Sequence, residues 1–139
     1  MKNLKKIVIF FIFILSCGEQ NNYIQNVYVD TDIDLSLPQY SSLNTVGNSI
    51  FIEGGNKGII IYKHSNNEYK IYDRNCSFEP NLECSYIDSI NSIIAYCGCC
   101  PSAFLLDQNG IAANSPAVLP LKQYNLSLIH ISEPTRPID

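Results

Sequence analysis

Short stretches of alternating apolar and polar residues along this chain predict strands. Between residues 27 and 37 apolar side chains recur at about every second position, and the pattern ends at Pro38. A period of two places apolar side chains on one face of a strand. Shorter apolar runs between residues that favour turns predict four further strands, at 49–53, near 92–96, at 103–106 and at 121–125.

The clearest local pattern predicts a β-hairpin. Residues 58–63 and 68–73 are rich in Ile and Tyr, and the polar residues 64–67 separate them. Asn66 and Asn67 suit a tight turn because Asn tolerates the left-handed backbone conformation. With many short strands and no stretch of helical period, the sequence predicts an all-β fold, a small sandwich or barrel.

The N-terminus has the three-part layout of an export signal. Three lysines precede an unbroken apolar run at residues 7–15, and Ser16 and Cys17 follow. The run is shorter than the roughly 20 residues that span a bilayer as a helix. Residues 14–17 resemble the lipobox of bacterial lipoproteins, in which the cysteine is acylated. The resemblance implies a signal peptide at 1–17, lipidation of Cys17 and a polar tether at 18–26.

This reading gives a protein anchored to a membrane of the bacterial cell envelope, the outer membrane being expected. Several acyl chains on one residue give lasting attachment. An acidic composition, with 13 acidic against 9 basic residues, shows no electrostatic footprint for nucleic acid. The expected partners are the membrane, through the lipid, and an envelope protein that the sequence does not identify.

Residues 126–136 match the translation of a sequencing-library adapter at every position. We therefore expect residues 126–139 to be an artefact and the gene to continue beyond Asn125 with other codons. The native β domain then comprises residues 27–125, and His130 falls outside it. His64 is the single histidine that remains for chemistry in the domain.

Five cysteines lie close together in the second half of the chain. They are Cys76, Cys84, Cys97, Cys99 and Cys100. Clustered cysteines in an exported protein suggest disulfides, of which five residues form at most two. Cys99 and Cys100 are adjacent and would bridge each other only with strain. Each group of cysteines follows a predicted strand, so neighbouring strands would bring both groups to one end of the domain.

The two cysteine segments resemble the cluster boxes of Rieske proteins, small β domains that hold a 2Fe–2S cluster. In that family the first box reads Cys-x-His and the second Cys-x-Cys-His-Gly-Ser-x-Phe or Tyr. The first box here is Cys76-Ser77-Phe78, and the second, at 97–104, is Cys-Gly-Cys-Cys-Pro-Ser-Ala-Phe.

The similarity extends to a group of Rieske-like bacterial lipoproteins and covers nearly all of the native mature chain. It rests also on Pro-Gln-Tyr at 38–40, Tyr-Asp-Arg-x-Cys at 72–76, Glu-Cys at 83–84 and Pro-Leu-Lys-Gln-Tyr at 120–124. It implies a small Rieske-like sandwich or barrel with two cysteine loops at one end.

The departures from the Rieske pattern bear on function. Rieske clusters use two histidines on one iron, but Phe78 and Cys100 occupy those positions here. Phe has no ligand atom, and His64 lies in the predicted hairpin turn, a dozen residues before the first box. A histidine-ligated centre is therefore not expected.

Four uses of the five thiols remain open, of which disulfides are favoured. The resemblance implies a bridge between Cys84 and Cys99, and Cys76 would then pair with Cys97 or Cys100. Such a domain is a structural or binding module without a cofactor. The alternative is electron transfer by a 2Fe–2S cluster on Cys76, Cys84, Cys97 and Cys100. Zinc bound through Cys97 and Cys100 and thiol–disulfide exchange are weaker alternatives.

Hydrolytic catalysis has no support in the sequence. The domain holds one histidine and no Gly-x-Ser-x-Gly motif. Asp30, Asp32 and Asp34 alternate on one strand face, but the glycine and glutamate of a calcium loop are missing. We expect no catalytic residue, and a redox-active form would be an electron carrier.

Overall fold

The computed structural model describes residues 23–125 and the backbone of residues 129–132. The described residues form an all-β domain, as the sequence predicts. Its strands are β1 (Thr31–Asp34), β2 (Ser49–Ile52), β3 (Ile59–Ser65), β4 (Glu68–Asp73), β5 (Ile87–Asn91), β6 (Ile94–Cys97), β7 (Ala103–Leu105), β8 (Ile111–Ala112), β9 (Gln123–Tyr124) and β10 (Ile129–Ser132).

Two antiparallel four-stranded sheets organise the domain. The first has the strand order β2-β3-β4-β9 and the second β5-β6-β7-β8, while β1 and β10 pair in parallel. No helix in the described part of the chain is long and apolar enough to cross a membrane. The lipobox and Cys17 lie outside the described residues, and the origin of residues 126–139 stays a prediction.

The predicted hairpin is confirmed, with a shorter turn. β3 and β4 pair antiparallel from Ile59 opposite Asp73 to Ser65 opposite Glu68. The turn consists of Asn66 and Asn67 alone. His64 was expected in the turn but lies on β3, where the pairing register shifts between Lys63 and Ser65. The two asparagines close the turn without further residues, so the preceding backbone remains extended.

Strand β3 lies at the centre of the core because both of its faces are covered. Ile60 and Tyr62 belong to a cluster that joins the first sheet to the second, where Phe104 is fully buried. Ile59 and Ile61 belong to a second cluster, on the opposite face, together with Ile33, Leu43 and Tyr69. A strand covered on two sides reads as a continuous apolar run, which explains the Ile-Ile-Ile-Tyr sequence.

Several elements differ from their predicted bounds. Of the predicted strand at 27–37, only Thr31–Asp34 forms a β-strand. A 3-10 helix, Pro38–Asn44, follows, although no helix is expected from the sequence. Its seven residues are too few to show a helical period in the sequence. Pro38 nevertheless suits the first turn of a helix, and Leu43 is fully buried. Strands β5 and β8 were also missed: β8 has only two residues, and most side chains of β5 are exposed, so pairing with β6 and β7 defines them.

The double burial of β3 gives a stability prediction. Replacing Ile61 by Ala removes a fully buried side chain and is expected to lower the free energy of unfolding by about 2–5 kcal/mol. Val46→Ala is the control: this side chain is 47% exposed, and such surface changes are usually within about 0.5 kcal/mol. Urea titrations followed by circular dichroism compare the two. Equal stability of both variants would contradict the placement of Ile61.

Candidate functional site

The two cysteine loops meet at one end of the domain. Cys76 and Cys84 lie in the loop after β4, and Cys97, Cys99 and Cys100 lie at the end of β6 and in the loop that follows. These strands belong to different sheets, so the loops do not meet through neighbouring strands of one sheet.

Backbone hydrogen bonds join the loops instead. The first loop turns back on itself, since the Cys76 amide donates to the Ser85 carbonyl at 3.0 Å. The second loop is attached to the first, since the Gly98 amide donates to the Tyr86 carbonyl at 2.8 Å. Within the second loop the Cys97 amide donates to the Ser102 carbonyl at 3.0 Å. The sulfur atoms are therefore positioned by paired backbone and not by free loops.

Three of the five thiols form a compact inner group. The Sγ atoms of Cys76, Cys97 and Cys100 all lie within 4.8 Å of one another, and those of Cys76 and Cys100 are 3.9 Å apart. Cys76 is fully buried, Cys97 nearly so, and Cys100 is half-buried. Cys76 and Cys97 belong to the core cluster between the sheets. The inner group therefore lies where the hydrophobic core meets the cysteine loops.

The inner thiols differ in their affinity for protons. Burial raises the pKa of Cys76, and its hydrogen bond with Cys97 adds to the effect. Burial acts in the same direction on Cys100, but hydrogen bonds with Ser102, Cys97 and Cys76 together hold its pKa below the ordinary value. Cys100 therefore ionises before Cys76, because its neighbours donate hydrogen bonds to the thiolate.

Cys84 and Cys99 form an outer pair next to the inner group, and both are exposed. A hydrogen bond with Cys84 raises the pKa of Cys99 to about 12, and desolvation and the charges of Cys84, Cys97 and Cys100 act in the same direction. All five thiols of the described residues are free. The structure thus brings every candidate cysteine of the domain together, as three inner and two outer sulfurs.

Phe78 and Cys100, the residues that the resemblance aligns with the Rieske histidines, have different surroundings. Phe78 packs against the core cluster, and its carbonyl accepts a hydrogen bond from the Ser85 hydroxyl at 2.6 Å. Cys100 is a member of the inner group. Phe78 therefore offers a packing contact and no ligand atom, whereas Cys100 offers a sulfur.

His64 is not brought to the site. It lies on β3, at the end opposite the cysteine loops. Ile59, at the other end of β3, pairs with Asp73, which precedes the first cysteine loop. His64 is five residues, or about 17 Å along the strand, from Ile59. Its Nε2 atom is 4.0 Å from the Glu68 carboxylate. The ring is half-buried, and its centroid lies 6.2 Å from that of the Tyr62 ring.

The aspartates of the first strand lie apart from the cysteine loops. Asp32 and Asp34 are exposed, and hydrogen bonds from the Ser36 side chain and from the Ser36 amide (2.9 Å) lower the pKa of Asp34. Among the described residues, the inner cysteines are the group of three metal-type ligands whose atoms converge.

Sequence reasoning missed Lys57, which holds the loop that carries Cys84. Its ammonium donates to the backbone carbonyls of Pro80 (3.0 Å), Leu82 and Ser85 (3.2 Å). Three carbonyls around one cation fix the path of the loop, because each contact is a charge-assisted hydrogen bond. The sequence offers only a lysine in a glycine-rich turn as a signal.

Comparisons with known proteins add little to this geometry. No family model and no curated protein matches the chain. Among solved structures, a chain of a complex of reduced oxygenase and oxidized ferredoxin in carbazole 1,9a-dioxygenase is similar, with 16% identity and a TM-score of 0.37. The match covers 57% of this chain and 78% of that chain. A likeness at this TM-score carries no argument, so the site is interpreted from its own geometry.

The pKa differences predict the order in which the thiols react. In reduced protein without metal, Cys100 is expected to be alkylated by iodoacetamide faster than Cys99 near pH 8, although Cys99 is more exposed. A lowered pKa gives more thiolate, which is the nucleophile. The advantage should shrink as the pH rises toward 12, where Cys99 also ionises. Peptide mass spectrometry measures both rates, and a faster Cys99 at pH 8 would contradict the assignment.

The lysine contacts predict that Lys57→Met releases the Cys84 loop. Hydrogen bonds to charged groups contribute about 1.5–3 kcal/mol each, so the variant should show faster alkylation of Cys84. Lys70→Met is the matched control, because Lys70 is buried and its ammonium donates to the Asp107 carbonyl, outside both cysteine loops. Equal Cys84 rates in the two variants would show that Lys57 does not hold the loop.

Proposed function

We propose that this protein is a lipid-anchored electron carrier of the bacterial cell envelope, with a Rieske-like β domain that holds an iron–sulfur centre through cysteines alone. The observation that carries the proposal is the convergence of the inner thiols, within 4.8 Å of one another. Cys76, Cys97 and Cys100 are the proposed ligands, and an outer cysteine, Cys84 or Cys99, supplies the fourth.

The sulfur separation favours a shared metal over a covalent bridge. Two thiolates on one tetrahedral metal with metal–sulfur bonds of about 2.3 Å lie roughly 3.8 Å apart. The Sγ atoms of Cys76 and Cys100 are 3.9 Å apart, whereas a disulfide requires about 2.05 Å. A bridge would also leave Cys97 as a buried spare thiol, and a metal centre uses all three sulfurs.

We infer the class of centre from the donor set together with the family resemblance, because four thiolates alone also suit zinc. Four thiolates are the ligands of ordinary 2Fe–2S clusters, which transfer one electron at lower potential than the histidine-ligated Rieske type. The chain's own contribution is to exclude water from the buried inner sulfurs and to leave the outer pair exposed. Electrons would therefore pass through the exposed side, where Cys84 and Cys99 lie.

A disulfide-bonded binding module is the second candidate. It is favoured by the contact between Cys84 and Cys99, which are the residues that the family resemblance would pair. Export to an oxidising compartment also favours bridges. In this form Cys76 and Cys100 would close to bonding distance and Cys97 would stay reduced.

The test is anaerobic purification of the whole chain from membranes, followed by iron and acid-labile sulfide analysis. The proposal predicts about two irons and two sulfides per chain. Cys97→Ser should lose most of the iron and stay in the membrane. Cys17→Ala should lose acylation and keep the iron, so the two variants separate the centre from the anchor.

Three other results would overturn parts of the proposal. Protein without iron, in which two disulfides leave one free thiol among the five, would establish the binding module. Iron that persists in Cys97→Ser would refute the inner group as the ligand set. Membrane association that is unchanged in Cys17→Ala would refute the lipid anchor alone.

A further inference from the structure

An exposed apolar patch lies beside the cysteine loops. It consists of Val118, Leu119, Leu82 and Tyr23, with exposed fractions of 88%, 48%, 47% and 37%. These side chains surround an open cavity of about 600 Å³ whose floor includes Phe78. Contiguous exposed apolar surface of this kind marks a site that binds a protein or a membrane.

The patch is held in place by the core. The Ser77 hydroxyl donates to the Leu119 carbonyl at 2.5 Å, and the Ala117 amide donates to the Ser102 hydroxyl at 3.0 Å. Ala117 is buried in the cluster between the sheets. Because the flanking residues are fixed, Val118 and Leu119 are presented to the exterior by the fold.

The position of the patch along the chain indicates what covers it. Tyr23 is six residues after Cys17, and six residues span at most about 20 Å when fully extended. A lipid on Cys17 therefore keeps Tyr23 and its neighbours within that distance of the bilayer. Tyrosine is itself enriched at membrane interfaces, where its ring and hydroxyl meet different surroundings.

We propose that the apolar patch docks the domain on the bilayer that carries its anchor. The inference rests on the proposed lipidation of Cys17 and extends it from a tether to a fixed orientation. Leu82 lies between Cys76 and Cys84 in the chain, so docking turns the cysteine end toward the lipid. The protein would then exchange electrons with its donor or acceptor at the membrane surface.

The charges nearby select the type of lipid. Glu79 lines the same cavity, and the Lys57 ammonium is engaged by three carbonyls. The described residues that line this cavity include no Lys or Arg, so they offer nothing to anionic headgroups, which bind basic segments. Docking should therefore be stronger on zwitterionic lipid than on anionic lipid.

The experiment uses the absence of tryptophan from the chain. The full acylated protein carrying Val118→Trp is reconstituted into zwitterionic vesicles whose acyl chains are brominated. Val46→Trp is the matched control, because Val46 is 47% exposed and lies beside Lys63, at the sheet end opposite the cysteine loops. Docked apolar residues enter the lipid by about 5–10 Å, so the indole at position 118 should be quenched several-fold more strongly.

Each outcome decides a different point. Acylated protein with equal quenching at both positions would overturn docking and leave the anchor intact. A chain without acyl groups would overturn the anchor and the docking together. Shielding at position 118 in native membranes but not in protein-free vesicles would identify a membrane protein as the occupant and refute the lipid surface. Stronger quenching with anionic lipid would refute the charge argument.

Discussion

The buried carboxylate of Asp73 connects the first sheet to the cysteine loops. Its Oδ2 atom accepts hydrogen bonds from the Asn56 amide (2.7 Å), the Asn56 side chain (2.9 Å) and the Tyr124 hydroxyl (2.6 Å). Its Oδ1 atom accepts from the Asn75 amide at 2.8 Å. A buried charge is tolerated when its lone pairs are satisfied, and here the donors come from the turn before β3, from β9 and from the first cysteine loop. One side chain thus fixes three segments, and it lies three residues before Cys76.

The surroundings of Asp73 explain neighbouring sequence choices. Gly55 has a φ of +62°, and a Cβ there would lie 2.7 Å from the Asp73 carboxylate, so a side chain would displace the turn. Arg74 continues the connection: its guanidinium stacks over Phe51 at 4.1 Å and donates to the Ile87 carbonyl. It therefore ties the first sheet to the first strand of the second. These polar contacts are buried or part-buried and share atoms, so together they stabilise the backbone that leads to the cysteine loops.

The same geometry suits two chemistries that differ in one variable, the redox state of the sulfurs. Reduced thiols at 3.9 Å suit ligands of one metal, and a shift of roughly 2 Å toward the 2.05 Å of a disulfide would convert them into a covalent bridge. Phe78 fits either case, since it contributes packing and no ligand. The burial of Cys76 and Cys97 limits access of oxidants, which favours metal over oxidation once the centre is assembled.

The sequence by itself determined the strand class, the β3–β4 hairpin and the five cysteines as the chemically distinctive residues. These follow from local properties: apolar runs, asparagine turns and residue type. The division of the cysteines into three inner and two outer sulfurs came only from the tertiary structure, because it depends on hydrogen bonds between the Gly98 and Tyr86 segments. The 3-10 helix, the Lys57 contacts and the exposed patch were likewise decided there. The helix is too short to show a period in the sequence. The Lys57 contacts and the patch depend on partners far apart in the chain, whose approach no local pattern encodes.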